Sequence, residues 1–211
     1  MAVVGAFAVP HPPLIIPGVG GEQRRQIPQT VASYEEVTRR IERLAPQTIV
    51  ISSPHAAMYL DYLHISPGRG ASGSFARFGA PQARYSASYD TEFVRALCDA
   101  AARGGIPAGT AGERDPRLDH GTMIPLHFIQ QRYTDFQVVR IGLSGLSPLV
   151  HYKLGELVAE VAERLDRRVV YVASGDLSHK LLAARTASRP RALRSMSSPA
   201  TRSAPGTSWS S

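Results

Sequence analysis

The sequence RVVYVASGDLSH, residues 168–179, contains the pattern that decides the fold. Its segment 169–173 is apolar and rich in β-branched residues, with arginines before it and Ser-Gly after it. Runs of this kind are typical of strands that are buried on both faces of a parallel sheet. Three polar side chains follow at once: Asp176, Ser178 and His179. Because ligands of open α/β sheets bind at the carboxyl ends of the strands, this turn is a candidate site.

The same pattern, an apolar run followed by a histidine, occurs twice earlier in the chain. Residues 3–9 lead into Pro-His-Pro-Pro, which contains His11, and residues 48–51 lead into Ser-Ser-Pro-His, which ends at His55. A single loop histidine is most simply an exposed one, but three at equivalent strand ends favour a shared site. Neutral imidazole is a suitable ligand for iron, zinc or copper. We therefore expect His11, His55 and His179 to converge on one metal ion.

Helical patterns separate these strands. Hydrophobic residues recur at spacings of three and four in residues 27–44 and again in 149–165. Asp90 is the predicted N-cap of a helix that extends to Arg103. The alternation of strands and helices predicts an α/β fold, with a mostly parallel central sheet flanked by helices on both faces.

Two segments are less regular. Prolines at positions 10, 12, 13 and 17 predict an extended segment after the first strand, because proline cannot continue a helix or donate to a ladder. Residues 57–88 alternate apolar and polar residues around a Gly/Ser-rich stretch, which predicts a hairpin or an excursion over the site.

Composition limits the classes of function. The 211 residues are 43% hydrophobic and 19% charged, which predicts a globular domain, placed here at residues 1–182. Cys98 is the single cysteine, which excludes a disulfide framework and favours the cytoplasm. The N-terminus lacks the basic region of a signal peptide, and His11 and two prolines interrupt its apolar run, so neither a signal peptide nor a membrane span is expected there.

The last 29 residues, 183–211, differ from the rest. They contain eight serines, six alanines and five arginines, without Asp, Glu, Val or Ile, and this composition predicts a disordered tail. The tail also supplies most of the net charge of +7, and residues 1–182 carry only +2. Since the body has no basic stripe with interleaved aromatic residues, no nucleic-acid partner is expected. A GC-rich coding region translated in the wrong frame gives such a composition, a hypothesis that resequencing would test.

Two acid–histidine pairs leave alternatives open. Asp119 precedes His120, where it either orients that imidazole, as carboxylates do for metal-binding histidines, or caps the next helix. Asp176, three residues before His179, has the same two interpretations. The remaining histidines are expected to be structural or to lie near the surface: His64, His127 and His151.

Six motifs resemble those of a known superfamily. In order, they are VPHPP (9–13), ISSPH (51–55), YLHISPG (62–68), DHGTMIPL (119–126), VVRIGLSGL (138–146) and ASGDLSHKL (173–181). They are similar to the class III extradiol ring-cleaving dioxygenases, that is, to the catalytic B-subunit domain of protocatechuate 4,5-dioxygenase. Within the superfamily, the closest similarity is to the AmmeMemoRadiSam-system and Memo-like branch. The resemblance covers residues 2–182.

The resemblance implies a role for each site residue. His11 and His55 match the histidines that bind non-haem Fe(II), for which another divalent metal is an alternative. His179 matches the acid–base histidine, with Asp176 beside it in the catalytic motif, and His120 matches a histidine near the substrate. The implied partners are a catechol-type aromatic substrate, dioxygen and further copies of the chain in a homo-oligomer.

The chain departs from the family after the last motif. The third metal ligand of the family, a glutamate or, in Memo-like relatives, a cysteine, lies beyond that motif, but neither residue type follows Glu163 here. We therefore expect a C-terminally truncated domain with impaired activity, in which Asp119 or Asp176 would have to supply the carboxylate. The alternative function is a Memo-like metal-binding interaction or redox-regulatory module that cleaves no ring.

Overall fold

A four-stranded parallel sheet forms the centre of the structure, a computed structural model that describes residues 2–176. The strands of the described chain are β1 (Val3–Val9), β2 (Thr48–Ser53), β3 (Leu63–His64), β4 (Gly70–Phe75), β5 (Ala80–Ser88), β6 (Ala108–Gly109), β7 (Gln137–Gly142) and β8 (Val169–Ser174). The central sheet has the order β1-β8-β2-β7, and its neighbouring strands pair in parallel. The predicted α/β fold with a mostly parallel sheet is confirmed.

Helices cover both faces of this sheet, as predicted. They are α1 (Pro17–Gly20), α2 (Pro28–Leu44), α3 (Thr91–Arg103), α4 (His120–Ile129) and α5 (Pro148–Arg164). Successive side chains of a strand point to opposite faces. In β2, Ile49 and Ile51 accordingly join the hydrophobic core beneath α2 and α4. Val50, between them, joins the core beneath α3 and α5.

Aspartates begin two of these helices. The Asp90 side chain accepts a hydrogen bond from the Phe93 amide at 3.0 Å, which confirms it as the N-cap of α3. Asp119 accepts one from the Thr122 amide at 3.0 Å and caps α4 in the same way. The helix-capping interpretation of Asp119 is therefore correct.

Residues 10–12 after β1 are not helical, but the chain from Pro13 to Gln26 is, so the prediction of an extended segment was wrong there. Short 3-10 helices at Pro13–Ile15 and Gly21–Gln26 flank α1. Proline occupies the first positions of two of these short helices, where the missing N–H group would have no intrahelical partner. The Tyr34 hydroxyl, on α2, donates a hydrogen bond to the Pro10 carbonyl and so fixes the chain beside His11.

A β-hairpin follows β3 along the chain and contacts α4. β4 and β5 pair antiparallel, which confirms the hairpin predicted in residues 57–88. A Cβ atom at Gly73 would lie 2.5 Å from the Leu118 carbonyl oxygen and 2.7 Å from the Met123 sulfur. Since real Cβ atoms do not approach so closely, glycine lets the hairpin pack directly against the start of α4.

None of the described helices could span a membrane, and part of the predicted site lies outside the described residues. Across residues 2–176, each helix is too short or too polar to cross a lipid bilayer. His179, the predicted boundary at residue 182 and the predicted tail 183–211 lie outside the described residues, so these expectations stay predictions.

Candidate metal centre and adjoining cavity

The sheet brings His11 and His55 together at the carboxyl ends of β1 and β2. Both strands pair in parallel with β8, so their ends lie at one edge. His55 Nε2 is 3.1 Å from His11 Nε2, and the ring centroids are 4.9 Å apart. His11 is only 3% exposed, whereas His55 is exposed. The two imidazoles adjoin, as the strand ends indicated, and their role as ligands stays a prediction.

His120, the first residue of α4, adds a third imidazole to this group. Its ring centroid is 3.9 Å from that of His55 and 5.5 Å from that of His11. A ligand atom from each of the three rings lies within 4.8 Å of the other two. Burial, followed by the nearby His55 and His11, lowers the pKa of His120 to about 4. The ring is therefore neutral near pH 7, the form that binds a metal and that can accept as well as donate a hydrogen bond.

A serine at the end of β8 fixes the orientation of His11. The Ser174 hydroxyl donates to the Gly121 carbonyl at 2.6 Å, so its lone pairs face His11 Nδ1 at 3.0 Å. Nδ1 must then carry the proton, and Nε2 presents its lone pair toward His55. The Gly121 carbonyl is available because residue 125, four positions later in α4, is Pro125, which has no N–H group.

A second serine fixes the backbone at His55. The Ser53 hydroxyl accepts a hydrogen bond from the His55 amide at 3.2 Å and donates to Asp119 Oδ1 at 2.6 Å. A Cβ atom at Gly121 would collide with the Ser53 hydroxyl and lie 3.4 Å from the His55 ring. Glycine at this position therefore allows the end of β2 to approach the first turn of α4.

Asp119 is an anchor whose oxygens are already engaged. Besides Ser53, it accepts from Thr122 and from Arg140, with 3.2 Å between Arg140 Nη2 and Asp119 Oδ2. Burial raises the pKa of this carboxyl, but Arg140 and the hydrogen bonds from Ser53 and Thr122 outweigh burial, so the pKa lies below its usual range. The arrangement assigns Asp119 to capping and positioning, and leaves it little capacity to bind a metal.

Asp176 is the carboxylate that faces the histidines. Its Oδ2 lies 3.7 Å from His11 Nε2, the same nitrogen that faces His55. Its Oδ1 accepts a hydrogen bond from the His11 amide at 3.4 Å. The residues that an Asp176 helix cap would need lie outside the described part of the chain. The contacts on the described side place this carboxylate beside Nε2 of His11, the nitrogen that faces His55.

The donor set fits a divalent transition metal. Two nitrogens about 2.1 Å from a metal and at right angles to each other are about 3.0 Å apart. The Nε2 atoms of His11 and His55 are 3.1 Å apart. Imidazole nitrogens together with a carboxylate are ligands that iron accepts in the two-histidine, one-carboxylate arrangement.

A cavity of about 410 Å³ adjoins the histidines. Its walls include His55 and His120, hairpin residues such as Phe78, and residues of the loop before α4 such as Leu118. The Phe78 ring packs edge-on against His120, with centroids 5.2 Å apart. Cavities of about 300 to 1,000 Å³ are typical of sites for small molecules, and this one is large enough for a single aromatic ring with substituents.

Three residues that support the site were not predicted: Ser53 and Ser174, which contact the histidines, and Arg140, which binds Asp119. The sequence pattern could have predicted the role of Arg140, since an arginine inside the apolar run of β7 is expected to be buried and therefore paired with an acid. The serines gave a weaker indication, because both lie at the carboxyl end of a strand. Their partners depend on the order of the strands, which the sequence did not give.

Replacing Ser174 with alanine should lower metal affinity by about 10- to 100-fold, the usual cost of removing a residue that orients a metal-binding histidine. Without the hydroxyl, the Ser174 contact no longer favours the proton on His11 Nδ1, and the tautomer with the proton on Nε2 becomes more populated. Anaerobic titration with ferrous iron against a chromophoric chelator measures the effect. Ser88→Ala, on the exposed side of β5, is the matched control. Unchanged affinity in Ser174→Ala would contradict the orienting role.

The chain is similar to several bacterial proteins. It is 34% identical to a protein of Clostridium acetobutylicum over 188 residues, which are 86% of this chain and 40% of that protein. It is 27% identical over 201 residues to the 2-aminophenol 1,6-dioxygenase beta subunit of a Pseudomonas species, covering 84% of this chain and 63% of the subunit. It is 21% identical over 160 residues to the 3,4-dihydroxyphenylacetate 2,3-dioxygenase of Escherichia coli, covering 72% of this chain and 56% of that enzyme.

These matches support membership of a family but cover only part of each relative. The chain spans 40 to 63% of the length of these relatives. Their names do not distinguish the Memo-like branch, so assignment to that branch stays a prediction. The family model described as the catalytic LigB subunit of aromatic ring-opening dioxygenase matches residues 5–196, a range that continues past residue 182. With most of its length matched, the chain belongs to the family of catalytic LigB subunits of aromatic ring-opening dioxygenases.

Proposed function

We propose that the protein is a non-haem Fe(II)-dependent extradiol dioxygenase that opens catechol-type aromatic rings. The observation that carries the proposal is the pair of Nε2 atoms of His11 and His55, 3.1 Å apart beside a cavity of ring size. Membership of the family of aromatic ring-opening dioxygenase subunits, and relatives that are named as dioxygenases, support the same reaction type.

Three residues would bind the metal. His11 and His55 would bind Fe(II) through Nε2, and Asp176 would supply the carboxylate that completes one face. Such a face leaves other coordination positions open for small ligands. Ferrous iron bound there would supply the redox chemistry that lets dioxygen react with an aromatic diol.

The remaining residues act on the substrate. The neutral His120, on the wall of the cavity, would form a hydrogen bond to a ring hydroxyl. His179, which follows Asp176 by three residues, would accept the hydroxyl proton and later return it, as the resemblance implies. In the net reaction, the ring bond between one hydroxyl-bearing carbon and the adjacent carbon that carries no hydroxyl breaks. Both atoms of dioxygen enter the product. No external reductant is needed.

Ferrous iron added anaerobically to the metal-free protein should bind at one equivalent, and catechol with air should then give a yellow ring-fission product. Zinc-loaded protein is the control, because zinc fills the site without changing its oxidation state. Absence of iron uptake would exclude the proposal for this chain. Iron uptake without any ring-fission product, across a panel of catechols and aminophenols, would favour the Memo-like binding or redox module instead.

Two further expectations, impaired activity and a homo-oligomer, stay predictions. Family members carry their third ligand beyond the last motif, so reliance on Asp176 predicts weak iron binding and impaired turnover. Asp176→Asn should then lower iron affinity further. Sedimentation of the iron-loaded protein would test the expected homo-oligomer.

A further inference from the structure

A second group of buried polar side chains adjoins Arg140, apart from the histidines of the candidate metal centre. It comprises His64 on β3, Tyr89 just after β5, Glu113 in the loop before α4, and Arg140 on β7. Five atoms of these side chains are buried and have no hydrogen-bond partner among residues 2–176: His64 Nδ1 and Nε2, the Tyr89 hydroxyl, Glu113 Oε1 and Arg140 Nη1. Since nearly all buried polar atoms in proteins are hydrogen-bonded, such a concentration of them indicates a bound partner.

The four side chains lie close to one another without direct hydrogen bonds. His64 Nε2 is 4.0 Å from Glu113 Oε2, which is too far for a hydrogen bond. Arg140 holds Asp119 through Nε and Nη2, and its Nη1 is left for other partners. Burial raises the pKa of Tyr89 and the adjacent Arg140 lowers it, although the Tyr89 hydroxyl forms no hydrogen bond of normal geometry with that guanidinium.

The chemistry of these groups selects a small, uncharged partner that both donates and accepts hydrogen bonds. Arg140 Nη1 can only donate, and Glu113 Oε1 can only accept. Burial lowers the pKa of His64, which Glu113 opposes and Arg140 reinforces, so the ring is neutral near pH 7 with one donor and one acceptor nitrogen. Arg140 would repel a cation, and Glu113 would repel an anion. Water meets all of these requirements, since a buried water typically forms about three hydrogen bonds to groups that lack other partners.

We propose that His64, Tyr89, Glu113 and Arg140 enclose a site for buried water. His64, Tyr89 and Arg140 are almost completely buried, whereas the Glu113 side chain is 16% exposed, so the water exchanges with solvent past Glu113. Neither iron nor a substrate is needed for this water to bind.

The bound water joins the loop before α4 to the sheet. Glu113 belongs to that loop, and Arg140 belongs to β7 and also holds Asp119, the cap of α4. The same loop contributes three residues to the wall of the cavity: Asp115, Arg117 and Leu118. The water therefore stabilises one wall of the cavity from the side that faces away from the histidines.

A high-resolution crystal structure of the full chain tests the site directly. A water molecule should lie within about 3.2 Å of at least three of the five unpaired atoms. A structure without water among these side chains, or with a metal ion or a halide in its place, would overturn the proposal.

Replacing Tyr89 with phenylalanine tests the same site in solution. If the hydroxyl binds water, its loss should raise the equilibrium constant for unfolding by about fivefold, the usual net value of one hydrogen bond. If the hydroxyl is buried without any partner, its removal relieves a penalty and the constant should fall. Urea unfolding of the iron-free protein measures the constant. Tyr152→Phe, at a side chain that is 66% exposed, is the matched control and should change nothing. An unchanged or smaller constant for Tyr89→Phe would contradict the water site.

A double-mutant cycle with Glu113→Leu distinguishes water from a direct partner of the Tyr89 hydroxyl. Leucine removes an acceptor of the water, so Tyr89→Phe in this background should change the constant by less than about twofold, the scatter expected for independent sites. Glu156→Leu, at an exposed position of α5, is the control background and should leave the fivefold effect intact. A full effect of Tyr89→Phe in the Glu113→Leu background would overturn the proposal, because Tyr89 and Glu113 share no direct hydrogen bond.

Discussion

Replacing His55 with alanine is expected to lower the affinity for ferrous iron by at least about 100-fold. Removing a residue that merely orients a ligand costs about 10- to 100-fold, so removing a ligand should cost no less. His55 is exposed and its ring fills no part of the core, so the iron-free variant should fold normally. His11→Ala should reduce iron binding as much, but it also removes a buried ring that is hydrogen-bonded to Ser174.

Thermal unfolding with and without iron gives an independent measure of this loss. At an iron concentration of about 100 times the wild-type Kd, binding should stabilise the wild-type protein by about 2.7 kcal/mol. His55→Ala should gain almost nothing at that concentration. The control is His151→Gln, on α5, whose imidazole binds Ser144 and the Ser147 carbonyl away from the histidine group. Equal stabilisation of His55→Ala and wild type would show that iron binds elsewhere.

The positions of His11 and His55 could be predicted because they follow from local patterns. An apolar, β-branched run predicts a buried parallel strand, and the residues just after it lie at the carboxyl edge. The structure pairs β1 and β2 with β8 and brings the two rings side by side. The sequence could not give the strand order, because β1 and β8 are separated by about 160 residues and no local rule selects their pairing.

The contacts that hold the histidines depend on that order. Ser174 reaches both His11 and the Gly121 carbonyl because β8 lies between β1 and β2, with α4 across their ends. The two interpretations of Asp119 could not be separated for the same reason. Its principal partner, Arg140, is 21 residues later on β7, and only the folded chain places them 3.2 Å apart.

The prediction of an extended segment after β1 was wrong for residues 13–26, and this has a physical cause. Proline excludes the interior of a helix but favours its first position, since a first-turn N–H group has no partner in any case. Pro13 and Pro17 each occupy such a position. A series of prolines therefore predicts short helices as well as an extended chain, and the contacts of Ile15 and Ile16 with the core favour the helices.

Replacing Arg140 with methionine is expected to lower the free energy of unfolding by about 3 to 5 kcal/mol, the cost of breaking a buried ion pair. Arg140 is 2% exposed and the Asp119 side chain 10%, so loss of the guanidinium leaves a carboxylate that water can hardly reach. Urea unfolding of the iron-free protein measures the change. The control Arg132→Met breaks the exposed pair with Glu42, at 3.4 Å, and should cost less than about 1 kcal/mol.

The cost of Arg140→Met should depend on pH with a definite sign. In the wild-type protein the lowered pKa of Asp119 stabilises the fold above the ordinary pKa of the carboxyl, and this stabilisation is lost as the pH falls through the lowered value. Without Arg140, burial becomes dominant and the pKa should rise above its ordinary value. The charged carboxylate then destabilises the variant at high pH, and protonation relieves the penalty. The difference in the free energy of unfolding between wild type and Arg140→Met should therefore become smaller as the pH is lowered from about 8 to about 5.

The substitution Asp119→Asn distinguishes two contributions to the cost of Arg140→Met: the unpaired charge left on Asp119 and the lost packing of the Arg140 side chain. In the Arg140→Met background, asparagine keeps an oxygen that can cap α4 but removes the unpaired charge, so it should restore about 1 to 3 kcal/mol. In the wild-type background the same substitution should destabilise, because it removes the partner of Arg140. This reversal of sign is what an ion pair between Arg140 on β7 and Asp119 at the start of α4 requires. If Asp119→Asn destabilises both backgrounds equally, the two residues are not coupled, and Arg140 contributes packing alone.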